Sequence, residues 1–488
     1  MGAVNAPTPT ARRRRRTALM VLAPIVAVVT FMLGLRVGAG NAVKTASVFA
    51  APPGKPPTAG APVPFAWQIL TYIEDRGVRE TIAMRDLTVI ARSKGQESRW
   101  TGSSNADGIA EAVLAIPGLV PGAPVELEVH VAGEAQPLAQ GLVDWQSPTW
   151  GRDAPSAAAA RPSKRDGAIG IDVLVEGERL VVGFDMPIWA HVTGSGVDPS
   201  RVTLHATPEA GLRLEKEDLK IGCDGWAELE AVAEGHVVGL QIEAKAPDDK
   251  KGVWFGALPV APGAFFVGAP RHVPEGKAET VVLVAPNPRN VVYAEVDDER
   301  GRVFAAALPL AVEPGDPVPR ARFEMPPLAS GLHWIVVSGE PRGAERLAGA
   351  AIAKPFLVGD APDSLGERAR PAEACSIGPW LAKRPATGFP RWLALDGMAT
   401  RGASNRASHR LGLFIGLVSL LAAAVLEVLL LTAASREARA AMLLAELDEP
   451  EADRRRVVAK PPGGSLAIAI LVATLGFALL GALMVAKG

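Results

Sequence analysis

The chain has 488 residues, of which 51 are basic and 52 are acidic. A net charge near zero gives no reason to expect nucleic acid as a partner. Two cysteines in a chain of this length exclude a disulfide-rich scaffold. The 50 glycines and 42 prolines, spread through short apolar runs, favour β-domains with many turns over long helices.

Three apolar runs are the first candidate elements in the chain. A basic stretch at 1–16 precedes the run at 17–36, and two further runs lie at 411–434 and 465–486. Because a helix of about 20 apolar residues crosses a bilayer, each run is predicted to be a transmembrane helix. The first run would be a signal anchor. A cleaved signal peptide is the alternative, since Val48-Phe49-Ala50 suits signal peptidase.

The basic residues set the expected orientation. The arginines before the first run and the basic loop at 435–464 should both face the cytoplasm. The sequence therefore predicts a multi-pass protein of the cell inner (plasma) membrane, with the lipid bilayer as a partner. Residues 37–410 would then be extracytoplasmic.

The region between the first two runs is predicted to be mainly β. Its short runs rich in Val, Leu and Ile are bounded by Gly, Pro, Asn or Asp, which indicates antiparallel sandwiches. The predicted segments are a Pro/Gly/Ala linker at 37–63, β-sandwich 1 at 64–147, a linker at 148–167, β-sandwich 2 at 168–262, β-sandwich 3 at 263–359 and a membrane-proximal stalk at 360–410.

The first two predicted sandwiches share an internal repeat. Asp107-Gly108-Ile109-Ala110-Glu111 recurs as Asp224-Gly225-Trp226-Ala227-Glu228, with similar strand-like runs before and after each copy. An Asp-Gly pair supplies a tight turn with a positive φ, and the residues after it enter a strand. Asp107, Gly108, Asp224 and Gly225 are therefore candidate turn residues in two domains of one kind.

This pattern of strand, Asp-Gly-x-Ala turn and Leu/Val-rich strand resembles bacterial immunoglobulin-like and macroglobulin-type β-sandwich domains. The Cys…Trp…Cys arrangement of immunoglobulin domains and the macroglobulin thioester motif are both missing from the sequence. The resemblance implies tandem antiparallel Ig-like β-sandwiches with a tendency toward binding, and it transfers no site. The predicted fold class is mainly β, with three transmembrane α-helices added.

The predicted stalk combines aromatic and basic residues. Trp380 and Trp392 stand near Lys383, Arg384 and Arg391. Aromatic residues with basic neighbours close to a membrane span suit the headgroup layer. An equally open alternative is a loop packed on the third sandwich.

The search for chemistry finds one candidate residue. The sequence has no phosphate-binding loop, no His-Glu-x-x-His, no Gly-x-Ser-x-Gly and no Cys-x-x-Cys, so we expect no enzyme, no catalytic or metal site and no cofactor. Glu427 lies in the second apolar run, where an acid is costly and suggests function. Its alternative role is that of a protonated side chain hydrogen-bonded to another helix.

The predicted function is interaction. The chain would present Ig-like domains as a scaffold, adhesion or accessory subunit, with another envelope or membrane protein as partner and without nucleic acid. One alternative is a subunit of a membrane transport or signalling complex that uses Glu427 as an intramembrane contact. The other is an exported carbohydrate- or peptide-binding enzyme.

Overall fold

The computed structural model describes most of the β region. Described residues are 42–75, 78–120, 122–144, 159–222, 225–315, 317–341, 351–359, 374–384 and 391–399, with isolated helical positions between 25 and 32 and between 414 and 443. The chain divides into two compact units, one of 45–72 with 81–397, the other of 1–44, 73–80 and 398–488.

The second of these units is described mainly at a short hairpin. It contains the end of strand β2 (Val63–Asp75) and the exposed strand β3 (Val78–Thr81). Arg79 pairs there with Glu74 at 3.0 Å. The first unit holds three β-sandwiches.

Sandwich 1 contains β2 together with β1 (Val43–Ala50), β4 (Leu87–Ser93), β5 (Gln96–Gly102), β6 (Ile109–Ile116), β7 (Val125–Val131), β8 (Ala139–Val143) and β28 (Trp392–Asp396). One sheet has the order β28-β1-β2, with β6 also paired to β2, and the other has the order β5-β4-β7-β8. Alternating side chains of both sheets fill the core, where the rings of Phe65 and Trp67 stack with centroids 4.0 Å apart.

Sandwich 2 contains β9 (Lys164–Gly167), β10 (Gly170–Val175), β11 (Leu180–Val181), β12 (Asp185–Thr193), β13 (Thr203–Pro208), β14 (Leu212–Leu214), β15 (Asp218–Leu219), β16 (Trp226–Ala233), β17 (Val238–Lys245), β18 (Lys251–Leu258) and β19 (Val260–Ala261). Its sheets have the orders β10-β12-β16-β14 and β15-β13-β17-β18-β9. Strands β11 and β19 form a short parallel pair at its end.

Sandwich 3 contains β20 (Phe266–Gly268), β21 (His272–Val273), β22 (Glu279–Val284), β23 (Val291–Asp298), β24 (Arg302–Pro309), β25 (Arg320–Met325), β26 (Gly331–Ser338) and β27 (Ile352–Val358). Its sheets have the orders β20-β22-β25 and β24-β23-β26-β27-β21. The antiparallel pair β22/β25 corresponds to β2/β6 and β12/β16, so one strand plan recurs in all three sandwiches.

The segment predicted as a stalk packs on these sandwiches. Helix α1 (Ala374–Ala382) buries Ile377, Trp380 and Leu381 against the outer face of β26 and β27. Its last residue, Ala382, packs with apolar side chains of sandwich 2. Further along the chain, β28 joins the edge of sandwich 1 by pairing with β1. The end of the chain's β region thus contributes to all three sandwiches.

The prediction of three transmembrane helices is wrong as a description of this structure. Within the described residues no helix is both long and apolar enough to cross a membrane. The multi-pass inner-membrane location, which depended on those helices, is corrected with it. Of the predicted spans, 17–36 and 411–434 are described at isolated helical positions only, and 465–486 lies outside the described residues.

Candidate functional site

A cluster of five charged side chains lies between sandwiches 1 and 3. Its members are Glu111 on β6, Glu295 and Asp297 on β23, Arg302 on β24, and Arg391 immediately before β28. The side chains of Arg302, Arg391 and Glu111 are 0–1% exposed, and that of Glu295 is 10% exposed. Three carboxylates and two guanidinium groups are therefore buried together at this joint, which we call the charge cluster.

Arg391 bridges the two sandwiches within the charge cluster. Its Nη1 donates to Oε1 of Glu111 at 2.8 Å, and its Nη2 donates to Oε1 of Glu295. Although burial opposes its charge, Glu111 and Glu295 raise the pKa of Arg391 above its ordinary value. Buried charges are tolerated only when they are paired in this way, so Arg391 fixes sandwich 1 against sandwich 3.

Arg302 makes the second connection. Its Nη2 donates to the main-chain oxygen of Ala66 in sandwich 1, and its Nη1 lies 3.7 Å from Oε1 of Glu295. Burial, followed by the charge of Arg391, lowers the pKa of Arg302, while Glu295 acts in the opposite direction. Outside the cluster, Nδ2 of Asn105 donates to the hydroxyl of Tyr293 at 2.9 Å and adds a neutral bond across the same joint.

A cleft of about 410 Å³ opens beside the charge cluster. Its walls include Trp100, Asn105 and Ile109–Glu111 of sandwich 1 and Phe304–Ala307 of sandwich 3. The volume lies within the range of about 300–1,000 Å³ that is usual for ligand pockets. Two aromatic rings, an amide and several small side chains thus surround a space large enough for one or two side chains.

Strands β6 and β24 line the two sides of this cleft. Within the part of the chain that the structure describes, β6 forms a ladder with β2 and β24 forms one with β23, and Arg302 of β24 also forms an isolated bridge with Pro53. Glu111 is 9% exposed as a residue although its side chain is 1% exposed, so its accessible part is main chain. Residues 52–54 cover the start of β24, where the amide of Arg302 donates to the oxygen of Pro52 at 2.8 Å. Beyond that point Phe304, Ala306 and Ala307 are partly exposed, whereas Ala305 is 3% exposed.

The joint between sandwiches 2 and 3 has a different construction. Arg271 pairs with Glu176 at 2.8 Å and with Glu228 at 2.6 Å, and its guanidinium lies 5.1 Å from the ring centroid of Trp189. The ammonium of Lys354 donates to two main-chain oxygens near β20, and burial lowers its pKa. A cavity of about 330 Å³ lies at this joint. Its central charges already have partners within the protein, which indicates a structural role.

The predicted turn residues occupy equivalent positions where the structure describes them. Gly108 and Gly225 both have φ of 76°, and each comes directly before a strand. A Cβ atom on Gly108 would lie 2.5 Å from the oxygen of Thr71, and one on Gly225 would lie 3.1 Å from that of Val192. Both glycines are therefore required by the backbone and carry no chemistry of their own.

The remaining predicted residues do not meet in one site. Asp107 is an exposed turn residue. The described residues contain no group of three or more His, Cys, Asp or Glu able to hold a metal ion. Asp224, Cys223 and Glu427 lie outside the described residues. The charge cluster was not predicted, although Glu111 is part of the repeated motif and Arg391 was noted in the stalk.

Comparisons with known proteins give no family. No family model matches the chain, and no curated protein matches it. Among solved structures, the Escherichia coli adhesin FdeC is 11% identical, with 66% of this chain and 99% of that chain covered and a TM-score of 0.16. Trypsin-activated alpha-2-macroglobulin from Escherichia coli is 11% identical, with coverage of 72% and 25% and a TM-score of 0.17.

A third neighbour is the adhesin InvE of Yersinia pseudotuberculosis. It is 13% identical, with 40% of this chain and 55% of that chain covered and a TM-score of 0.15. The chain therefore spans only part of the length of this adhesin and of the macroglobulin. These neighbours include bacterial adhesin and macroglobulin structures, in line with the resemblance to bacterial Ig-like and macroglobulin-type domains, but the similarity is low. TM-scores of this size carry no argument about function.

Proposed function

We propose that this chain is an interaction protein that receives one or two side chains of a partner protein in the cleft between sandwiches 1 and 3. The observation that supports the proposal is the lining of the cleft, where Trp100 and Phe304 stand beside several small side chains. A cleft with aromatic walls can hold an anchoring side chain of a partner protein.

The joint beneath the cleft supports the same function. Arg391 holds the two walls in one arrangement through buried ion pairs with Glu111 and Glu295, and Arg302 adds a hydrogen bond to the main-chain oxygen of Ala66. A preformed site loses less conformational entropy on binding than a flexible one, so more of the contact energy contributes to affinity. Trp100 and Phe304 supply aromatic surface for a side chain of the partner protein.

The proposal is tested by filling the cleft. The variant Ala306→Arg places a long charged side chain in the cleft, and Ala115→Arg places the same side chain on an exposed position of β6 outside it. Affinity purification of the full chain after cross-linking should recover a partner with the wild type and with Ala115→Arg. Ala306→Arg should lose it while keeping the wild-type circular dichroism. Equal recovery with both variants would refute binding in the cleft.

A further inference from the structure

The segment Arg391–Gly397, which we call the strap, is bound along β1 of sandwich 1. Strand β28 within it pairs antiparallel with β1, from Ser47 opposite Asp396 to Ala50 opposite Trp392. The register shifts between Val48 and Phe49, so the ladder is interrupted in the middle. In chain order the strap follows β1 by more than 300 residues, and it therefore reaches β1 as a separate segment.

Contacts at the end of the strap depend on the identity of its residues. Leu395 lies over Gly141, where a Cβ atom would be 2.7 Å from its Cδ2. The hydroxyl of Tyr72 donates to Oδ1 of Asp396 at 3.0 Å. Gly397 lies so close to main-chain oxygens of sandwich 1 that a Cβ atom would overlap them. The surface along β1 thus selects leucine, aspartate and glycine at three successive positions.

The binding surface is most selective at the start of the strap, where it holds the side chain of Arg391. Its side chain is 1% exposed and ends between Glu111 and Glu295. Without this guanidinium the charge cluster would keep three carboxylates and a single arginine, so another cationic residue that entered would be stabilised there. The cluster acts as a binding pocket for the first residue of the bound segment.

The strap is an edge strand of its sheet. It has one neighbouring strand, its ladder is interrupted, and Leu393 in its centre is 52% exposed. Its side chains pack on the edge of the core, whereas those of β1 and β2 lie within it. Binding energy is therefore concentrated at its two ends, as in a peptide ligand.

We propose that the slot along β1 is a peptide-binding site, and that the strap is its ligand in cis. The slot accepts an extended segment of a partner protein with the pattern Arg-Trp-Leu-Ala-Leu-Asp-Gly, or with equivalent residues at the arginine, second leucine, aspartate and glycine positions. Such a segment displaces the strap by strand exchange. The slot lies on the opposite edge of the sheet from the β6 edge of the cleft, so this inference stands apart from the proposed function.

Exchange of the strap would also act on the joint between sandwiches 1 and 3. When the strap leaves, Arg391 leaves the charge cluster with it, and the link between Glu111 and Glu295 is broken. A partner arginine that enters the slot restores that link. A segment without the arginine would bind weakly and leave the joint open.

The test uses the full chain with a weakened strap and a labelled peptide in trans. The strap variant carries Arg391→Ala and Leu395→Ser, and the peptide has the wild-type sequence of residues 389–399. In fluorescence anisotropy the peptide should bind the variant saturably and at least tenfold more tightly than it binds the wild-type chain, whose own strap competes. A second peptide of the same residues carries Arg391→Ala. Its affinity for the strap variant should be about thirtyfold lower or more, because loss of one partner of a buried charge pair is costly.

Equal affinities of the wild-type peptide and the Arg391→Ala peptide, or no binding of the wild-type peptide to a folded strap variant, would overturn the proposal. If the strap variant does not fold, Ser47→Cys in the otherwise wild-type chain replaces it, with a peptide that carries Asp396→Cys, because these residues are opposite each other. The peptide should form more mixed disulfide than a scrambled peptide, and equal yields would be the contrary result. Ala306→Arg should leave peptide binding unchanged, which separates this site from the cleft.

Discussion

Replacement of Arg391 by methionine should destabilise the chain far more than replacement of an exposed arginine. The variant Arg391→Met keeps most of the side-chain volume and removes the guanidinium that joins Glu111 to Glu295. Removal of one partner from a buried ion pair leaves an uncompensated buried charge and costs about 3–5 kcal/mol. Arg302 compensates only in part, because its Nη1 is 3.7 Å from Glu295 and its Nη2 already bonds a main-chain oxygen.

The matched control is Arg79→Met. Arg79 pairs with Glu74 at 3.0 Å, but its side chain is 46% exposed, so the loss should be at most about 1 kcal/mol. Urea denaturation of the full chain, followed by circular dichroism, gives the free energy of unfolding for each variant. Both variants remove one arginine, so their difference isolates the effect of burial.

A double-mutant cycle with Glu111→Gln separates the ion pair from the loss of packing. We expect a coupling energy of at least about 1.5 kcal/mol between Arg391 and Glu111, because the second substitution removes the charge that the first leaves unpaired. A loss below about 1 kcal/mol for Arg391→Met, or a coupling energy near zero, would refute the role of the charge cluster in the joint.

Three further predictions follow from single positions. Gly108→Ala should cost more than about 1 kcal/mol in unfolding free energy and more than Gly225→Ala, because its Cβ would lie 2.5 Å from an oxygen rather than 3.1 Å; equal losses in urea would contradict the difference. Trp380→Ala should cost about 3–5 kcal/mol, since Trp380 is 4% exposed in α1, and an unchanged melting curve would show that the helix is not needed. Burial lowers the pKa of His333 below 6.5, so its stabilising contribution is complete above 6.5 and is lost as pH falls below that value. The difference in unfolding free energy between pH 7 and pH 5.5 should therefore be smaller in His333→Gln than in the wild type. The difference should shrink by at most about 1.4 kcal/mol per pH unit, and identical pH dependence in the two proteins would be the contrary result.

The β-sandwich architecture could be predicted because it depends on local patterns. Alternating apolar residues, as in Val125–Val131, specify which face of a strand is buried. The Asp-Gly motif specifies a turn, and Gly108 and Gly225 do share a φ of 76°. Sandwich 3 lacks that motif and still has the same strand plan, since the plan requires only short apolar strands and turns.

The charge cluster and the strap could not be predicted from local patterns. Arg391 contacts residues 280 and 96 positions away in sequence, and no spacing rule relates them. An arginine beside a tryptophan has the same sequence pattern at a membrane surface and in a buried ion pair. The pattern of Trp380 and Arg391 therefore leaves a headgroup layer and a loop packed on the third sandwich equally open in the sequence, and in the structure both side chains lie inside the protein.

The transmembrane prediction failed for a different reason. It depended on the apolar length of three runs. That length gives the distance a helix would cover only if the run forms a helix. Within the described residues no helix has both the length and the apolar character that a membrane span requires.

One short region near the end of the β region connects all three sandwiches by two kinds of interaction. Helix α1 joins sandwiches 2 and 3 through apolar side chains, and the strap joins sandwiches 1 and 3 through a buried ion pair. Apolar burial tolerates small sliding movements, whereas a buried ion pair requires one geometry, because an unpaired charge is costly there. The joint beside the cleft is therefore the more strictly positioned of the two.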